Sequence, residues 1–159
     1  MKTMKHLILI LIIVLSFINK GFSQNDKLIP EALVIKTAFD KLQHDPKSAE
    51  LQKRYIDLFP DNSMIFKKIF CSPTFDQLYH NSYLYIDELK DLWDFYPDVI
   101  GFKLIRLCIG FKKWDVDAIG NIQSLTVDYA NSHIDLFITK IKQLDNKEQN
   151  TLITFLADV

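Results

Sequence analysis

The chain has 159 residues, of which 48% are hydrophobic and 13% aromatic, with 19 Lys and Arg set against 20 Asp and Glu. That length suits one domain. The apolar content excludes disorder, two Cys are too few for a disulfide scaffold, and a formal net charge of −1 excludes a strongly basic nucleic-acid binder.

The first residues read as a targeting segment. Lys2 and Lys5 precede an apolar run from Leu7 to Ile18 broken only by Ser16. Gly21 and Ser23 then stand in the small-x-small arrangement that a signal peptidase reads. A membrane span needs about 20 apolar residues, so this run is too short to be an anchor. No Cys lies near Ser23, so nothing supports lipoprotein processing. Residues 1–23 are expected to be a signal peptide cleaved after Ser23, and residues 24–159 a single domain in the periplasm or secreted. Lys2, Lys5 and Lys20 leave with the signal. The remaining 16 basic residues face 20 acidic ones, a net of −4 over 136 residues. A chain of that length buries roughly two-thirds of its unfolded surface and needs no metal or disulfide to fold.

From Pro30 to His44, Leu33, Val34, Ala38, Phe39 and Leu42 recur at helical spacing, and Pro30 suits a first turn. Asp45 is expected to cap a second helix that runs to Phe59 and stops before Pro60. Ser63 to Phe70 reads as a short helix with Ile65, Phe66, Ile69 and Phe70 on one side. After Ser72-Pro73 a segment leads to Tyr79, and a helix is expected from Ser82 to Tyr96. Asp98 to Lys113 is the most apolar stretch of the mature chain; Lys103, Arg106 and Gly110 share one narrow face, which predicts a central, largely buried helix.

Three further helices complete the reading. One begins at Asp115 or Asp117 and carries Ile119, Ile122, Leu125 and Tyr129. Ser132 opens the next, with Asp135 in the capping-box position, and Asp145 opens the last, with Glu148 in that position. No stretch alternates like a strand. Tyr55–Phe59, Tyr85–Leu89 and His133–Phe137 look alike but follow no fixed period, which argues against a repeat array. The expected fold is all-α, a compact bundle of about seven or eight short helices, with stacked helix pairs as the alternative arrangement.

Catalytic and cofactor patterns are absent from the sequence: it has no Cys-x-x-Cys, His-Glu-x-x-His, Gly-x-Gly-x-x-Gly, Walker loop or Gly-x-Ser-x-Gly. Asp115, Asp117 and Gly120 resemble the start of a calcium loop, but Ile119 and Thr126 occupy two of its ligand positions. Two acids at a helix N-terminus is the simpler reading. His44, His80 and His133 lack a second His or Cys one turn away, so no local metal pair forms. Ser132 and His133 are adjacent and would not face each other as nucleophile and base. No catalytic residue, metal or cofactor is assigned.

The two thiols leave two states open. Export permits a bridge between Cys71 and Cys108, whereas the apolar setting of Cys108 suits a buried free thiol. Charge supplies the clearest surface feature. Asp87, Asp91 and Asp94 fall on one helical face with Glu88 beside them, while Val99 to Lys113 holds Lys103, Arg106, Lys112 and Lys113 and no acid. Either these helices form a hairpin in which Asp91 and Asp94 meet Lys103 or Arg106, or the acids and Tyr83 are a docking stripe for a basic protein partner. Two other functions remain in view. Glu88, Asp91 and His80 would serve a cell-wall hydrolase if they shared a cleft, and a large dry pocket of Phe and Ile would mark an apolar-ligand carrier.

The Phe22-Ser23-Gln24 ending of the signal and the phrase Leu58-Phe59-Pro60-Asp61-Asn62 resemble those of uncharacterised small exported all-helical proteins of Bacteroidota. That resemblance implies an envelope location and carries over no residue roles. Such proteins sometimes resemble immunity or inhibitor proteins of interbacterial toxin systems, and the expected function is accordingly a non-enzymatic, protein-binding one.

Overall fold

The computed structural model describes residues 28–71, 78–111 and 117–157. The expected signal peptide, the segment 72–77, Lys112, Lys113 and the Asp115 of the calcium-like sequence lie outside the described residues. Among the described residues there are eight α-helices and no strand. They are α1 (Pro30–His44), α2 (Ala49–Leu58), α3 (Ser63–Phe70), α4 (Ser82–Leu92), α5 (Pro97–Gly110), α6 (Asp117–Ser132), α7 (Ile134–Ile141) and α8 (Asn146–Ala157), with a 3-10 turn at Tyr79–Asn81 before α4. The protein is an all-α bundle.

Local chemistry explains most of the boundaries. Asn62 Oδ1 accepts from the backbone N–H groups of Met64 and Ile65 at 2.9 and 3.2 Å, which starts α3. At α8 the capping box is reciprocal: Glu148 N–H donates to Asp145 Oδ1 at 2.8 Å, and Asp145 N–H donates to Glu148 Oε2 at 3.3 Å. Two expected caps differ. Ser48, not Asp45, caps α2, because its Oγ reaches Leu51 N–H at 3.4 Å, while the Asp45 N–H closes the end of α1. His133 precedes α7 without a side-chain cap, so the Ser132–Asp135 box is not formed. The helix expected to reach Tyr96 ends at Leu92, and Pro97 opens α5 from within its first turn.

The bundle is organised around α5 and α6. Helix α6 packs on α4, α5, α7 and α8, and α5 also contacts α3, α7 and α8, while α1 pairs with α2. Ile100, Leu104, Ile105, Leu107 and Cys108 of α5 are buried, as its near-continuous apolar sequence requires. An aromatic layer joins the two ends of the chain. Phe59 stacks on Phe70 at 5.7 Å, Phe66 meets Phe111 at 5.4 Å, and Phe111 meets Phe155 of α8 at 5.8 Å. The Tyr55 hydroxyl donates to the Tyr85 carbonyl and ties α2 to α4. Helix α5 approaches α6 closely at Gly101, where a Cβ would run into the Tyr129 hydroxyl, itself 2.8 Å from the Pro97 carbonyl.

Candidate functional site

The five residues expected to form a stripe do not share one environment. Tyr83 is 48% exposed, and Asp87 and Asp91 are exposed on the same side of α4, one and two turns further on. Asp94 lies past the end of α4 and is 3.3 Å from His133 Nε2. Glu88 departs most from expectation. It is only 9% exposed and accepts a 2.6 Å bond from Gln43 Nε2 of α1. Burial raises its pKa above the ordinary value, the Gln43 bond opposes that rise and Asp91 adds to it. Of the five, only Glu88 is buried; Asp94 is exposed but lies against His133, which leaves Tyr83, Asp87 and Asp91 as the open face of α4.

The hairpin expected between α4 and α5 does not neutralise these acids, because each helix packs chiefly on α6. The cations of α5 turn elsewhere. Lys103 is 8% exposed and donates to the Phe59 carbonyl at 2.7 Å, and Arg106 Nη1 lies 3.3 Å from Glu148 of α8. Lys90, within α4 itself, bonds Asp128 of α6 at 2.8 Å. Asp87 and Asp91 lie near enough to lift the Lys90 pKa, after the larger effect of Asp128, yet neither is in an ion pair among the described residues.

His133 sits in an aromatic setting. Its ring stacks on Tyr129 at 4.7 Å and meets the edge of Trp93 at 5.7 Å, and its Nδ1 is buried without a hydrogen-bond partner among the described residues. His44 occupies the last turn of α1 with Nδ1 2.6 Å from the Asp40 carbonyl, a helix-end position that suits a ring N–H. Among the described residues no group of three or more His, Cys, Asp or Glu could hold a metal ion. The bridge weighed between Cys71 and Cys108 is not formed: both are free, and Cys108 Sγ lies 3.2 Å from Thr126 Oγ1 inside the core. No described helix is long and apolar enough to cross a membrane.

Three surface grooves line the α1–α3 side of the fold. One of about 500 Å³ runs along Thr37, Asp40, Lys41 and His44 of α1. A second, of about 420 Å³, is bounded by Glu50, Lys53, Arg54 and Asp57 of α2. The third, of about 440 Å³, lies between α1, α2 and α3 over Ile35 and Ile69, with Lys103 at its base. Glu88 lines none of the three, so the carboxylate cleft that a hydrolase would need is not found in them. The Lys103 groove was not legible in the sequence, where Lys103 reads as part of a polar face.

No family model, curated protein or solved structure matches the chain.

Proposed function

We propose that this protein is an exported, non-enzymatic binding module whose partner is a basic protein, in the manner of an immunity or inhibitor protein of the bacterial envelope. The observation that carries the reading is the exposed pair Asp87 and Asp91, in no ion pair among the described residues and aligned one and two turns beyond a half-exposed Tyr83. Like charges at this spacing cost a helix roughly 0.2–0.5 kcal/mol. Lys90 lies near enough to offset some of that repulsion, but its own ion pair is with Asp128, which leaves the rest unrelieved. A basic partner would relieve it, and the acids would steer its approach, while Tyr83 supplies an aromatic anchor beside them.

Affinity capture from envelope fractions of the native organism tests the reading. The wild-type bait is expected to retain a stoichiometric basic partner at low salt, and Asp87→Lys/Asp91→Lys is expected to lose it. A bait that emerges alone, or a partner held equally by both baits, contradicts the proposal.

A further inference from the structure

The groove between α1, α2 and α3 has the make-up of a second docking site. Its walls are apolar, with Ile35 and Ile69 buried and Val34 and Ile65 left 45% and 44% exposed. A volume of about 440 Å³ falls in the ligand-pocket range of roughly 300–1,000 Å³ and admits a few large apolar side chains. Its polar residues are mostly acidic. Glu31 is bonded to Lys68 at 3.2 Å, but Asp57 and Asp61 are exposed and belong to no ion pair among the described residues.

Among the described residues the one cation lining the groove, Lys103, is drawn inward and offsets only part of that acidic character. Lys103 is buried and directs its ammonium to the Phe59 carbonyl at 2.7 Å. Burial lowers its pKa, and Asp61 and Asp57 partly restore it. The surface thus presents an apolar trough with two open carboxylates beside it.

We infer that this groove receives a cationic amphipathic helix, whose apolar side chains enter over Val34 and Ile65 while its Lys or Arg residues meet Asp57 and Asp61. Charge complementarity and apolar fit act together at this groove, which is a surface separate from the α4 stripe. Capture through α4 and binding in this groove can therefore fail independently of each other.

The test is titration of the purified protein with a synthetic helix of about 14 residues, bearing Leu at i, i+3, i+4 and i+7 and Lys elsewhere, read by anisotropy of a label on the peptide. Saturable one-to-one binding is expected. It should weaken with salt, fall about tenfold in Asp57→Asn/Asp61→Asn, and fall in the uncharged change Ile65→Ser. Lys103→Met removes a positive charge from the base and should leave binding equal or tighter. Asp87→Asn/Asp91→Asn should leave it unchanged, and melting curves confirm that each variant is folded. Three results would each overturn the inference. One is no binding. Another is loss with the α4 variant but not with the groove variant. The third is tighter binding of the same Leu pattern carrying Glu for Lys, weakened by Lys103→Met, which would make the groove a site for anionic amphiphiles.

Discussion

The ammonium of Lys103 is bonded to the carbonyl of Phe59, 44 residues away in the chain, and so points into the α2–α3 end of the core. That single contact removes the counter-ion that the sequence offers most directly to the acids of α4. Arg106, one turn on, is drawn to Glu148 at the start of α8, and Asp87 and Asp91 of α4 face outward without either cation. The charge segregation between α4 and α5 is thus real in sequence but is not consumed by a hairpin.

Glu88 gives the clearest pH dependence. Its pKa is raised in the fold, chiefly by burial. The folded state therefore holds this proton more tightly than the unfolded chain, and its contribution to stability declines as pH rises from the ordinary carboxyl range through the raised value. Glu88→Gln keeps a partner for Gln43 and removes the titration. The variant is expected to match wild type near pH 4 and to melt higher near pH 7, as followed by circular dichroism at each pH. A variant that melts lower at neutral pH would show that the charge stabilises the fold.

Two glycines should respond to alanine with opposite sign. At Gly101 a Cβ overlaps the Tyr129 ring and hydroxyl, so Gly101→Ala is expected to destabilise by about 1–3 kcal/mol. At Gly120 in α6, apart from the helix's own backbone, nothing among the described residues lies within 4 Å of the added carbon. Gly120→Ala is expected to stabilise by about 0.5–1 kcal/mol through helix propensity. Urea midpoints at constant slope measure both.

The thiols should be inert and unbridged. Burial pushes Cys108 up to about 12 and Cys71 up to about 11, so the thiolate needed for attack is scarce at neutral pH. Native protein is expected to resist iodoacetamide at pH 7–8, to take up two labels in denaturant, and to show no mass gain on reduction. A gain of about 2 Da on reduction would establish the bridge instead.

Local signals in the sequence were read correctly where the chemistry is local. Asp145 and Glu148 form the capping box that their spacing predicts, and Ser63–Phe70 is a helix over the expected span. The apolar run around Ile100 to Cys108 marks one of the two central helices, although Lys103 is buried and Phe102 is 51% exposed, unlike the polar face that the spacing suggests. The errors arise where tertiary packing chooses between partners. Nothing in the order of residues says that α6 binds both α4 and α5, that Glu88 turns inward to Gln43, or that Asp94 finds His133 instead of Lys103. Ser48 and Asp45 are three residues apart and both are good caps, but the Asp45 N–H closes α1 and it is the Ser48 Oγ that accepts from Leu51 N–H. The Lys103 groove is invisible in sequence for the same reason, since its walls come from three helices.

Asp87 and Asp91 on α4 are proposed to form a binding surface for a basic protein. The dissociation constant of the captured partner, measured against salt for wild type and for Asp87→Asn/Asp91→Asn, tests it most directly. Binding that weakens with salt in the wild type, and that is about tenfold weaker and less salt-dependent in the variant, is the predicted result. Equal affinities and equal salt slopes for the two proteins would contradict it.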